Sequence, residues 1–115
     1  MNIENKTVDG ILVVKPLEKR LDSAIAPSFK SNMVDFILDN QTRIALNMSE
    51  IDFMDSSGLS ALLSTLKTIS RNGRLVLFGV GVNVAKLFSI TRLDRGVFEI
   101  QPDEQSALNS LTRTD

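Results

Sequence analysis

Arg43 to Met48 and Arg74 to Val80 are short apolar runs, carried by Ile44, Ala45, Leu46 and Met48 in the first and by Leu75, Val76, Leu77 and Phe78 in the second. Between them Leu59, Leu62, Leu63, Leu66 and Ile69 recur at i, i+3, i+4, i+7 and i+10, the period of one helix face, and Asn72-Gly73 supplies a stop. A buried strand, an amphipathic helix from Ser57 and a second buried strand in close succession constrain the chain more than any other feature. Such a crossover is right-handed and leaves its two strands parallel, each covered on both faces.

The flanking segments extend the pattern in both directions. Asp9-Gly10 lies between Asn2 to Val8 and the run Ile11-Leu12-Val13-Val14, the two-residue signal of a type I′ hairpin turn. Asp22-Ser23 offers an N-cap and Pro27 a first helical turn, and Ile25, Phe29, Met33, Phe36 and Ile37 then repeat at helical spacing as far as Asp39-Asn40. Val84, Leu87, Phe88 and Thr91 mark a shorter helix and Val97 to Ile100 a brief strand. Pro102-Asp103-Glu104 opens a last helix bearing Ala107, Leu108 and Leu111, with fraying expected from Leu111 to Asp115. The resulting order, β-β-α-β-α-β-α-β-α, predicts an α/β fold: an open, mostly parallel sheet opened by an antiparallel hairpin, with about four helices packed on it. The prolines fall at element edges and no linker interrupts the chain, so residues 1–115 are expected to form one domain.

Composition removes several kinds of chemistry. The chain has no Cys and no His, which excludes a disulfide framework, a thiolate nucleophile, a zinc–thiolate site and a Ser-His-Asp triad. Thirteen basic residues against 14 acidic give a net charge of -1, without the basic excess of a nucleic-acid binder. No apolar stretch has the roughly 18 residues of a membrane span, and Met1 to Lys6 lacks the apolar core of a secretory signal, so the expectation is a cytoplasmic protein bound to neither membrane nor nucleic acid. Gly79-x-Gly81-x-x-Val84 lacks the third glycine of a dinucleotide fingerprint, and its glycines are read as turn formers. No cofactor is expected.

One segment carries the chemistry that remains. Ile51-Asp52-Phe53-Met54-Asp55-Ser56-Ser57-Gly58-Leu59 sets two hydroxyls and a carboxylate where a strand exit meets a helix N-terminus, the junction at which open α/β sheets place ligand sites. Plain capping by Ser56 or Ser57 accounts for the hydroxyls without any function and stabilises a helix by about 1 kcal/mol. Regulated phosphorylation is the functional alternative: a phosphoserine carries about -1.5 to -2 charges, which the positive end of a helix tolerates, while Asp55 and Asp22 would make the new cluster strongly anionic. Ser56 is not read as a hydrolase nucleophile, because Met54 stands where the elbow motif needs Gly and no His is available as base. Phe53, Met54 and Phe88 are expected in the core, with Met54, in the loop before the hydroxyls, also a candidate for a protein contact.

Asp55-Ser56-Ser57-Gly58-Leu59, the upstream Leu21-Asp22 and the later Gly73-Arg74-Leu75-Val76-Leu77 together resemble the bacterial anti-sigma factor antagonists of the STAS domain family. Ala85-Lys86-Leu87-Phe88, Thr91-x-Leu93, Phe98 and Ala107-Leu108 extend the resemblance over almost the whole chain. It implies a STAS-like fold and a non-enzymatic partner switch. The unphosphorylated protein would bind an anti-sigma factor that is also a serine kinase, releasing the sigma factor. Phosphorylation would end that binding, and a metal-dependent PP2C-type serine phosphatase would restore it. By the same resemblance Ser56 is the phosphoacceptor, Ser57 and Gly58 open the helix, Asp22 sits beside Ser56 and touches the kinase, and the kinase contacts the first turns of that helix. With Met54 added from its place in the loop, the expected contact surface is Asp22, Met54, Asp55, Ser56, Ser57, Gly58 and Leu59.

Two positions depart from the family pattern. Lys19, followed by Arg20, stands where many members have Gly, and Arg92 does so in Thr91-Arg92-Leu93. Lys19 and Arg20 read as solvated surface charges, with pairing to phosphate or a different partner as the alternatives. Two rival functions use the same fold: a phospho-switched regulator of secretion, motility or biofilm formation, and a small-ligand or nucleotide-binding module.

Overall fold

A computed structural model describes residues 1–112. The elements in chain order are β1 (Ile3–Val8), β2 (Ile11–Pro16), β3 (Arg20–Leu21), α1 (Ala26–Leu38), β4 (Arg43–Asn47), β5 (Phe53–Met54), α2 (Ser56–Ile69), β6 (Arg74–Phe78), α3 (Val82–Ile90), β7 (Glu99–Gln101) and α4 (Glu104–Thr112). The main sheet has the order β1-β2-β4-β6-β7, with β1 antiparallel to β2 and every later pairing parallel. Asp9 and Gly10 both have positive φ (51° and 79°), as a type I′ turn requires, and so close the register at Val8↔Ile11. The expected architecture is the observed one. The sequence expectation omits only β3 and β5, which pair in parallel as a separate two-stranded ladder and are too short for any periodicity to reveal.

The strand side chains divide the interior into two layers because successive residues point to opposite faces. Leu12 and Val14, Ile44 and Leu46, and Leu75 and Leu77 face one cluster that also takes Phe29 and Met33 from α1, Leu62 and Ile69 from α2, and Val84 and Phe88 from α3. Ile11, Val13, Ala45, Val76 and Phe78 face the other way, against Ala107 and Leu111 of α4. The central strands are therefore apolar on both sides, and their hydrophobic runs do not alternate. Leu111, expected to fray, is 1% exposed and belongs to this second layer; the remainder of the fraying segment, 113–115, lies outside the described residues.

The helix ends show what the local sequence supplies. α1 begins at Ala26, with Ile25 as its N-cap and no side-chain cap; Asp22 shapes the turn before it instead, its carbonyl accepting from the Ile25 and Ala26 N–H groups. Asp22-Ser23 is thus a pre-helical turn and not the cap expected of it. α3 ends in a Schellman arrangement, in which Leu93 N–H donates to the Phe88 carbonyl and Arg92 N–H to that of Ser89, placing Arg92 at φ 60°. That left-handed position favours glycine, which explains why Arg92 reads as a departure from the family pattern. Phe98 fixes the segment after this turn by packing on Phe88 with ring centroids 5.2 Å apart.

At the far end of the sheet Arg74 clamps three elements. Its guanidinium donates to the Ser110 carbonyl at 2.8 Å, the Ser110 hydroxyl at 3.0 Å and Glu99 Oε1 at 2.5 Å, while the Ser110 hydroxyl donates to Glu99 Oε2. Burial pushes the Glu99 carboxyl up, but the Ser110 hydroxyl and the Arg74 guanidinium more than reverse this and hold it below its ordinary value of 4.5.

Two predictions follow from these ends. Arg92→Gly removes left-handed strain of about 1 kcal/mol and is expected to raise the thermal midpoint slightly, as scanning calorimetry would measure. For Glu99 a lowered folded-state pKa means that its contribution is complete above 4.5 and is lost as pH falls through the lower folded-state value. Urea titrations should therefore show Glu99→Gln less stable than the parent near neutrality, with the gap closing as the pH falls below the ordinary carboxylate range.

Candidate functional site

The short β3–β5 ladder builds the site. Arg20 pairs with Phe53 and Leu21 with Met54, and because the strands run the same way Asp22 and Asp55 leave the ladder at the same end. Backbone bonds on either side tighten the pairing: the Lys19 carbonyl accepts from Asp52 and Phe53, and the Leu21 carbonyl from Asp55 N–H at 3.4 Å. The α2 helix starts at once. A Cβ on Gly58 would lie 2.1 Å from the Leu21 carbonyl oxygen, so only glycine allows the first turn of α2 to press against β3.

Within this frame the motif residues take distinct places. Asp55 is the N-cap of α2, in extended conformation, and its Oδ1 accepts from Gly58 N–H at 3.0 Å. The cap is thus the carboxylate and not either serine. Ser56 occupies the first helical position and is exposed, whereas Ser57 beside it is half-buried and Gly58 fully buried. Leu59 is half-buried against the main core. Met54 is 6% exposed and joins the core, as expected of it, and so offers no surface for the protein contact also considered, while Phe53, likewise expected inside, is 38% exposed. Alternation along β5 gives the reason, since Leu21 and Met54 share the inward face and Arg20 and Phe53 the outward one.

Asp22 is held at both oxygens. Oδ1 accepts from Ala24 N–H at 3.1 Å and Oδ2 from Arg20 Nε at 3.3 Å. Arg20 in turn lies over Phe53, with Cζ 4.1 Å from the ring centroid, so it is not the merely solvated charge its surroundings in the sequence suggest. From Ser23 and Ser57 a groove runs between α1 and α2 past Pro27, Lys30, Ser60 and Ser64. Ser57, Ser60 and Ser64 recur at helical spacing, a polar stripe legible in the sequence but not used in reading it. Among the described residues no group of three or more His, Cys, Asp or Glu is arranged to hold a metal, and no helix is long and apolar enough to cross a membrane.

An exposed serine at the first turn of a helix, next to the carboxylate that caps that helix, stands at one end of a small α/β domain built on a mostly parallel sheet. Comparison with known proteins gives the family. Residues 2–107 match the STAS domain, and the chain belongs to that family. It is 32% identical over 94 residues to the anti-sigma-B factor antagonist of Staphylococcus aureus, covering 81% of this chain and 86% of that one. A Thermotoga maritima crystal structure described as an anti-sigma factor antagonist superposes with a TM-score of 0.88 at 27% identity, over 96% of this chain and 95% of the other. The Bacillus cell fate determinant SpoIIAA in its phosphorylated form shares the fold at a TM-score of 0.71 and 19% identity, over 97% of this chain and 100% of the other.

The close approach at Gly58 and the cap at Asp55 predict unequal costs. Gly58→Ala forces backbone apart and should destabilise the protein by about 1–3 kcal/mol, whereas Asp55→Ala loses only a cap, about 1 kcal/mol. Chemical denaturation of both variants measures the difference, with Gly58→Ala expected to be the weaker fold.

Proposed function

We propose that this protein is an anti-sigma factor antagonist switched by phosphorylation at Ser56. In the unphosphorylated state its surface around Asp22, Asp55, Ser56 and the first turns of α2 binds an anti-sigma factor that is itself a serine kinase, and the sigma factor is released. Phosphorylation of Ser56 ends the complex, and a PP2C-type serine phosphatase regenerates the binding form in the cytoplasm.

The observation that carries this reading is the exposure of Ser56 at the first position of α2, between the carboxylate-bearing ends of β3 and β5. A kinase can reach this hydroxyl without unfolding the helix, while the half-buried Ser57 is the poorer acceptor. A phosphate here adds about -1.5 to -2 charges next to Asp22 and Asp55. The helix N-terminus favours that charge, so the domain stays folded while its surface potential changes. Binding is lost by repulsion and steric bulk at the face that the partner covers. Gly58 and Met54 act from beneath, by setting the height of α2 above β3, and do not touch the partner.

Affinity capture from the source cells, with Ser56→Ala and Ser56→Asp as baits, tests the switch. A serine kinase of the anti-sigma type should be retained by the alanine bait and lost or reduced at least tenfold on the aspartate bait. Equal capture by both baits would overturn the mechanism. Asp22→Asn should slow phosphorylation of Ser56 by the captured kinase without shifting the thermal midpoint appreciably.

A further inference from the structure

We propose that Arg20 is the internal reader of the phosphate: when Ser56 is phosphorylated, the Arg20 guanidinium leaves Asp22 and pairs with the phosphoserine. The inference rests on Ser56 being the acceptor and adds a residue that makes the switch a rearrangement as well as a change of charge.

Arg20 is placed for this by its own strand. It pairs with Phe53 across the ladder, and the residues that follow in parallel, Asp22 on one side and Asp55-Ser56 on the other, emerge together. The guanidinium points toward that end, since Nε reaches Asp22 Oδ2 while Cζ stays over the Phe53 ring. The ring supports the guanidinium plane and leaves its edge available for an acceptor. Only Nε is engaged by Asp22; among the described residues the Nη groups donate to no side chain or backbone oxygen. They form the fork that matches two phosphate oxygens.

The present ion pair is weak enough to exchange. Its separation is 3.3 Å and the Arg20 side chain is 60% exposed, the setting in which such pairs contribute about 0–1 kcal/mol. A phosphate dianion is the stronger acceptor for a guanidinium, and it would otherwise face Asp22 and Asp55 uncompensated. Asp22 remains anchored after the exchange by the Ala24 N–H at its other oxygen. Moving Arg20 therefore exposes one carboxylate oxygen of Asp22 and changes the arrangement of charge on the docking face. The other charged groups around the acceptor are Lys19 and Asp52 beside the ladder and Lys30 across the α1–α2 groove. None of these is stacked on β5 as Arg20 is.

The test is a ³¹P NMR titration of the intact protein carrying phosphoserine installed at position 56 during translation, which requires neither kinase nor partner. An unperturbed phosphoserine has its second ionisation near pH 6, and a paired guanidinium lowers that midpoint. Arg20→Gln should raise the midpoint by about half a unit or more relative to the otherwise unaltered phosphoprotein, Arg20→Lys should restore it in part, and Lys19→Gln and Lys30→Gln should leave it within about 0.2 units. An unchanged midpoint in Arg20→Gln, or a larger shift in Lys30→Gln, would overturn the proposal. Because the phosphate is installed directly, these results are independent of the capture experiment. Failure there with a shift here would remove the anti-sigma partner and leave the internal reader standing.

Discussion

A side chain at position 58 would bring its Cβ within 2.1 Å of the Leu21 carbonyl oxygen, and the absence of one lets α2 lie directly against β3. The whole end of the fold around Ser56 depends on this approach. With α2 seated, Asp55 can leave β5 and cap the helix in one step, Ser56 is lifted to the surface, and Asp22 leaves β3 at the same end of the ladder, from a segment distant in sequence. A bulkier residue would separate the helix from the ladder and disperse these groups. The site is therefore a consequence of backbone packing first and of side-chain chemistry second.

The main sheet makes that packing rigid. Its central strands are apolar on both faces, with α1, α2 and α3 over one and α4 over the other, so displacing α2 would expose Leu62 and Ile69 together with the strand residues beneath them. Burying side chains of this kind stabilises by about 1.5–3 kcal/mol each, far more than the exposed polar contacts around Asp22. Strong apolar contacts hold the frame, and weak ionic ones, such as Arg20 with Asp22, are left at the surface. The Arg74 clamp lies elsewhere, joining β6, β7 and α4, and its role is structural.

Much of this was legible in the sequence. Hydrophobic period located the main-sheet strands and all four helices; Asp9-Gly10 located the hairpin; Asp55 to Leu59 marked the strand-to-helix junction that forms the candidate site. The misreadings have separate physical causes. Phe53 and Met54 belong to a strand of two residues whose partner is equally short, so no pattern told which side chain faced inward. The cap of α2 was assigned to a serine because Ser, Thr, Asp and Asn are nearly equivalent as caps, and only the position of the helix start distinguishes Asp55 from its neighbours. Arg20 gave no signal because an exposed basic residue next to Lys19 looks the same whether solvated or stacked.

The sequence by itself determined the layering, the hairpin, the family pattern and the segment that carries Ser56, since these follow from side-chain period and turn chemistry that act over a few residues. Tertiary structure alone decided that Ser56 is presented and Ser57 half-covered, that Met54 supports the site from inside, and that Arg20, Asp22 and Phe53 form one contact beside it. Those outcomes depend on the parallel pairing of β3 with β5, a non-local contact between segments too short to announce themselves.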